Sequence, residues 1–204
     1  NPHFSDDAPG GIRIVDTNND GSLTPEDRVA LGTPYPDFTW GITNTFQIKD
    51  FDISFLIQGV QGITVLNGDV YYNETKKWNK KYTKNRWVSA EHPGDGKTPY
   101  QNVKTGHDLM LTDYPLQNAS YACLRNFTVG YTLPATAARK IKLSGVRFYV
   151  SGSNLLYIWG SGYKGINPES RMTSGNYSSA MISGYQRGGF PLTSTISAGF
   201  DINF

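Results

Sequence analysis

Residues 192–204 read LTSTISAGFDINF, and their side chains alternate without interruption. Leu192, Ser194, Ile196, Ala198, Phe200, Ile202 and Phe204 fall on one side of an extended backbone. Thr193, Thr195, Ser197, Gly199, Asp201 and Asn203 fall on the other. A period of two marks a β-strand lying between two unlike environments. In a soluble fold a long patterned strand at the end of a chain needs its edge covered, whereas the last strand of a transmembrane barrel closes onto the first. An ordinary sandwich strand is the competing reading, and the other strands decide between them.

Four more stretches carry the same pattern. In FTWGITNTFQI, residues 38–48, Phe38, Trp40, Ile42, Phe46 and Ile48 alternate with Thr39, Gly41, Thr43, Thr45 and Gln47. The two residues Lys49 and Asp50 then join it to a return strand over residues 51–59, a tight hairpin. Residues 121–133 form the next strand, with Cys123, Phe127, Val129, Tyr131 and Leu133 opposite Asn126, Thr128, Gly130 and Thr132. Pro134 ends it, and residues 135–144 make a modest connection with about one helical turn. Residues 145–156 return, with Val146, Phe148 and Val150 opposite Arg147, Tyr149 and Ser151.

The connections alternate short, long, short, long. Residues 61–120 and 157–191 are long, polar and rich in Gly, Ser and aromatics, a length that argues against a compact soluble domain. In an outer-membrane barrel, short turns belong on the periplasmic side and long loops outside. That rule places the Lys49-Asp50 turn and residues 134–144 in the periplasm, with the C-terminus, and the long loops outside. The expected fold class is therefore all-β: antiparallel strands of a transmembrane barrel with long extracellular loops.

Before the first strand stands DTNNDGSLTPED, residues 16–27, which follows the calcium-loop pattern. Asp16, Asn18 and Asp20 take loop positions one, three and five, Gly21 the sharp turn, Ser22 a backbone carbonyl position and Asp27 the twelfth. Alternate short oxygen-bearing side chains on a tight loop converge on one point, as a hard cation requires. The twelfth position usually carries Glu; the shorter Asp27 either gives one oxygen to Ca²⁺ or favours Mg²⁺. A plain Asx-turn loop without an ion is the competing reading. The expected organisation is residues 1–37 as an extracellular segment with this motif, and residues 38–204 as strands and loops of the barrel.

The totals narrow the function. Net charge is +2, so there is no electrostatic footprint for nucleic acid. The single Cys123 excludes an internal disulfide framework. No apolar run is long enough for a transmembrane helix, which leaves barrels untouched. Nucleophile-elbow, zinc-protease, Walker and CxxC motifs are absent from the sequence. His3, His92 and His107 are scattered in loop segments and read as solvated. Glu74, Glu91 and Glu169 show no spacing that selects a glycosidase pair. The loop aromatics Tyr71, Tyr72, Trp78, Tyr82, Trp87, Tyr100 and Trp159 suit loop packing, an interfacial girdle or sugar stacking. Gln47, Arg147 and Asp201 are expected on the lumen side. The chain begins at NPHFSDDAPGG and reads as the continuation of something longer.

Several stretches resemble the C-terminal end of SusC-like TonB-dependent outer-membrane transporters. They are VDTNNDGSLTPEDRVALGTPYPDFTWGITNTF, ASYACLRNFTVGYTLP, VRFYVSGSNLLYIWGSGYKGINPES and FPLTSTISAGFDINF, in the family's order. The resemblance implies a barrel of about 22 strands, of which this chain holds about the last five. It implies a plug domain and a TonB-contacting segment upstream, coupling to TonB-ExbB-ExbD, and a SusD-like surface lipoprotein as lid. The implied function is import of oligosaccharides or peptides, with no enzymatic activity. Phe204 resembles the terminal aromatic read by the barrel assembly machinery. Two other readings stay open on the residues alone: a secreted calcium-binding β-sandwich that binds carbohydrate, and a passive porin.

Overall fold

The structure is a computed structural model and describes residues 8–70, 84–100, 112–170, 184–187 and 189–204. Tyr71, Tyr72, Glu74, Trp78, Tyr82, His3 and His107 lie outside the described residues, as does most of the basic run 76–84. The described chain divides into two units.

One unit, residues 36–63, 119–161 and 190–204, holds a five-stranded antiparallel sheet. Its strands are β1 (Phe38–Ile48), β2 (Phe51–Gln61), β5 (Tyr121–Thr132), β6 (Gly145–Trp159) and β8 (Thr195–Asn203). They lie side by side in the order β1-β2-β5-β6-β8. All five are the strands expected from alternation, with ends shifted by a few residues. The Lys49-Asp50 turn is confirmed, with Lys49 at φ 55°. The helical turn expected after Pro134 is α1 (Ala135–Lys140).

Register fixes the two faces, because directly opposed residues point the same way. Ile42, Phe46 and Ile48 of β1 oppose Ile57, Ile53 and Phe51 of β2. These in turn meet Leu124, Val129 and Tyr131 of β5. Tyr131 and Val129 meet Phe148 and Val150, which meet Phe200 and Ala198 of β8. One face is thus apolar across all five strands, and the other carries Asp52, Ser54, Gln58, Thr128, Arg147, Ser151, Ser197 and Asp201.

One facing assignment from the sequence fails. Cys123 opposes Gln58 on β2 and Tyr157 on β6, on the polar face, and not beside Phe127. The cause is a bulge. Leu56 and Ile57 are consecutive on β2 but oppose Asn126 and Leu124, leaving Arg125 as an extra residue. On β6, Asn154 and Leu155 stand across from it, with Asn154 at φ 55°. An inserted residue reverses the parity of every side chain beyond it.

The other unit, residues 1–35, 64–118 and 162–189, was expected to be loop only. It contains a small sheet built from β3 (Thr64–Asn67), β4 (Leu116–Asn118) and β7 (Tyr185–Gln186), with β3 in the middle. Its core includes Val65 and Asn67, nearly inaccessible to solvent. The Asn67 N–H donates to Pro115 O at 2.8 Å and its side-chain amide to Gln117 Oε1 at 3.0 Å, so the buried polar residue is satisfied. These strands are too short and mixed in character for alternation to reveal them. Residues 12–15 form no strand.

No helix among the described residues is long and apolar enough to cross a membrane, which says nothing about crossing by strands.

Candidate functional sites: the Asp16–Asp27 loop and the polar sheet face

The loop folds around its own backbone. Gly21 N–H donates to Asp16 Oδ2 at 3.0 Å, Asp20 N–H to Asn18 Oδ1 at 2.9 Å and Ser22 N–H to Asp20 Oδ1 at 2.8 Å. Asn18 Nδ2 donates to Asp20 Oδ2 at 2.9 Å. Asn19 and Gly21 take positive φ, 60° and 87°, as a tight loop of Asx turns requires.

Asp27 closes the loop from its far end. Its Oδ1 accepts from Thr17 N–H at 2.8 Å and from the Thr17 hydroxyl at 3.3 Å, and its Oδ2 accepts from Thr24 N–H at 2.8 Å. Glu26 N–H donates to Thr24 Oγ1, completing a capping box on the 3-10 turn Pro25–Asp27. The Thr24 N–H, then the Thr17 N–H, hold the Asp27 carboxyl below the ordinary aspartate range.

Two observations bear on a cation. Asp16 Oδ1 is buried and has no hydrogen-bond partner. An oxygen left this way is costly unless something else satisfies it. Against a tight preformed cage, no three His, Cys, Asp or Glu side chains come together among the described residues. Asp16, Asn18, Asp20, Ser22 and Asp27 share one loop, but the carboxylates of Asp16, Asp20 and Asp27 do not converge as a cluster of three. An ion there would draw on the orphaned oxygen and on the remaining lone pairs of oxygens that already accept an N–H.

On the polar face of the sheet, Arg147 forms a two-pronged contact with Asp52: Nε to Oδ1 at 2.9 Å and Nη2 to Oδ2 at 2.6 Å. Its Nη1 reaches Asp201 Oδ2 at 3.3 Å. Gly130 of β5 opposes Asp52, and a Cβ there would collide with Asp52 Oδ1 and Arg147 Nη2. The expected placement of Arg147 and Asp201 on one polar face holds.

A second cluster forms at the bulge, which the sequence reading missed. Arg125 Nη1 donates to Asn154 Oδ1 at 2.7 Å and to the Tyr157 hydroxyl at 2.9 Å. With its amide oxygen turned toward Arg125, Gln58 accepts from Nη2 at 2.6 Å and Nε at 3.0 Å. The available signal was a parity change: Ala122 and Leu124 are apolar at even positions, Phe127 and Val129 at odd ones.

Of the loop aromatics, Trp87 packs over Gly10 and meets Tyr100 edge-on at 6.4 Å, so it holds loop segments together. Trp159 opposes Tyr121 on the polar face. His92 is exposed on a turn, where its N–H bonds to Ser89 O.

No family model matches the chain. The chain is 30% identical over 206 residues to TonB-dependent receptor P3 of Formosa agariphila, a match covering 98% of this chain and 19% of the relative. TonB-dependent receptor P26 of the same species is 30% identical over 96% of this chain and 20% of its own length. TonB-dependent receptor SusC of Bacteroides thetaiotaomicron is 27% identical over 76% of this chain and 15% of its length. The chain therefore spans about a fifth of the length of the curated relatives it matches first. The solved structure of the RagAB peptide importer in its closed-closed state is similar with a TM-score of 0.65 at 22% identity, over 85% of this chain and 18% of that one. The sheet, its apolar outer pattern and its relatives agree: the chain is a segment of a SusC-like TonB-dependent receptor, and its five strands are part of a β-barrel wall.

Proposed function

We propose that this chain is the C-terminal wall of an outer-membrane importer that takes up oligosaccharides or peptides, and that it has no enzymatic role. The observation that carries the reading is the apolar face running across five strands while open to its surroundings. Ile196 is 74% exposed, Phe200 64% and Ile158 66%. A sandwich would bury such a face against a second sheet; lipid is the environment that accepts it. β1 and β8 form the two edges of the sheet. Unpaired edges in a bilayer cost several kcal/mol per backbone group, so further strands of the same barrel pair with both.

In this reading the short connections face the periplasm and the Asp16–Asp27 loop lies outside, with the C-terminus in the periplasm. Asp16, Asn18, Asp20, the Ser22 carbonyl and Asp27 hold Ca²⁺, with Mg²⁺ the alternative. The plug fills the barrel, a SusD-like lipoprotein caps it, and TonB-ExbB-ExbD supplies the energy. Oligosaccharide or peptide cargo follows from the resemblance to the SusC-like family, and the likeness to the RagAB structure, at 22% identity, supports the fold alone.

The test uses the full-length protein in its own host. Outer-membrane fractionation and growth on single oligosaccharide or peptide sources are compared with and without the gene, and with TonB disabled. Loss of growth on one cargo class in both mutants is expected. Recovery in the soluble fraction, or uptake that continues without TonB, overturns the reading.

A further inference from the structure

We propose that α1 and the residue pair after it form a headgroup site for anionic phospholipid on the outer side of the barrel wall. This rests on the membrane reading above.

The placement of α1 comes from burial. On the apolar face of β6, Phe148, Val150, Leu156 and Ile158 are 50–66% exposed, yet Val146 is only 6% exposed. Val146 opposes Ile202 on that face. The helix packs against β6, and its own buried residue is Ala138. The helix therefore covers Val146 on the apolar side, at the end of the sheet where β5 turns into β6. Leu133 N–H to Val146 O and Ser144 N–H to Asn203 O, both 2.8 Å, pin the connection to the strand ends.

The exposed surface of that connection is basic. Arg139, Lys140 and Lys142 are all exposed, and residues 133–146 contain no Asp or Glu. Ile141, between them, is 57% exposed. Cations in a last helical turn complement the helix dipole, which accounts for Arg139 and Lys140. It does not account for Lys142. The helix ends with Leu143 N–H on Ala138 O at 3.1 Å and Lys142 N–H on Arg139 O at 3.0 Å. That bonding pattern puts a left-handed residue after the cap, ordinarily Gly or Asn. Lys142 occupies it at φ 60°. A third cation stands where the backbone favours glycine.

Three cations around an exposed isoleucine, on the lipid side of a barrel rim, match a phosphodiester headgroup with its acyl chains beside it. The partner is phospholipid of the leaflet at the short-connection end, since that end faces the periplasm in the proposed orientation. Lipid A phosphates offer similar chemistry from the opposite leaflet.

The experiment uses full-length receptor, extracted from the outer membrane, in phosphatidylcholine nanodiscs. Spin-labelled phosphatidylglycerol, phosphatidylcholine and lipid A report their relative association with the protein. Wild type should prefer phosphatidylglycerol over phosphatidylcholine, and each cation removed should lower that preference about fivefold. R139Q/K140Q/K142Q should bring it to parity. K142G relieves the left-handed strain while removing charge, so it keeps the test open if the triple variant misfolds. Receptor that assembles normally but shows no preference, or a preference that survives K142G and the triple variant, overturns the proposal alone. A stronger preference for lipid A than for phosphatidylglycerol at these residues also overturns it. Protein absent from the outer-membrane extract would instead overturn the barrel reading.

Discussion

Arg147 reaches diagonally across β5 to Asp52, passing over Gly130, which has no side chain to obstruct it. The two side chains are 32% and 30% exposed, and two hydrogen bonds join them, whereas Asp201 is 57% exposed and held by one bond of 3.3 Å. Partial burial and paired geometry raise an ion pair above the usual surface value. A double-mutant cycle on Asp52→Asn and Arg147→Met should give a coupling of about 1–2 kcal/mol, against about 0.5 kcal/mol or less for Arg147 with Asp201. Gly130→Ala should lose most of the first coupling. Reversible folding titrations into vesicles measure all three, and equal couplings for the two acids would contradict the geometry.

The apolar face makes a second prediction. Ile196 opposes Gly152 and Phe200 opposes Phe148, both on the apolar face. Ile196→Arg or Phe200→Arg should cost about 2–4 kcal/mol near the bilayer midplane. Thr195→Arg, on the polar face opposite Ser153, should be much milder. The same titrations apply, and equal costs at positions 195 and 196 would sink the facing assignment.

The bulge at Arg125 predicts which of two adjacent residues meets lipid. Leu124 opposes Ile57 and Leu156 on the apolar face, and Cys123 opposes Gln58 and Tyr157 on the polar one. The double substitution Leu124→Cys/Cys123→Ser moves the single thiol by one position along β5. Pyrene maleimide attached to that moved thiol should be quenched by lipids brominated in their tails. The label attached to native Cys123 after brief unfolding and refolding, on the polar face, should not be quenched. Strong quenching at position 123 with none at position 124 would mean that alternation runs unbroken through β5.

The strands were legible because each side chain reports its environment at every second position, and five such runs agreed. Polar-face placement of Arg147 and Asp201 followed from the same rule. Cys123 was misplaced because a single inserted residue reverses parity without changing composition. Asp52 pairing with Arg147 over Gly130 joins residues 95 apart in the chain, which no local pattern encodes. β3, β4 and β7 escaped because strands of two to four residues carry too few positions for a period to show. The Asp16–Asp27 motif was visible as spacing, but spacing could not show that Asp27 spends both oxygens on backbone N–H groups.

That division of labour gives the last prediction. Asp27 shapes the loop by gripping Thr17 and Thr24, while Asp16 carries the oxygen with no partner. Ca²⁺ should therefore bind weakly, in the roughly 10⁻⁴ to 10⁻³ M range of extracellular sites, because ligands already engaged by N–H groups donate less. Trypsin cleavage after Arg13 and Arg28, which flank the loop, should slow in millimolar Ca²⁺ and less in Mg²⁺. Asp20→Ala should abolish the protection. Asp20→Asn keeps an acceptor for the Ser22 N–H and should retain the loop's shape while weakening Ca²⁺ binding about tenfold. Asp27→Ala should raise cleavage even in chelator, since it removes the clasp itself. Identical cleavage of the wild-type receptor in chelator and in 10 mM Ca²⁺, a concentration about tenfold above the weakest expected dissociation constant, would show that the loop is an Asx-turn structure that takes no ion.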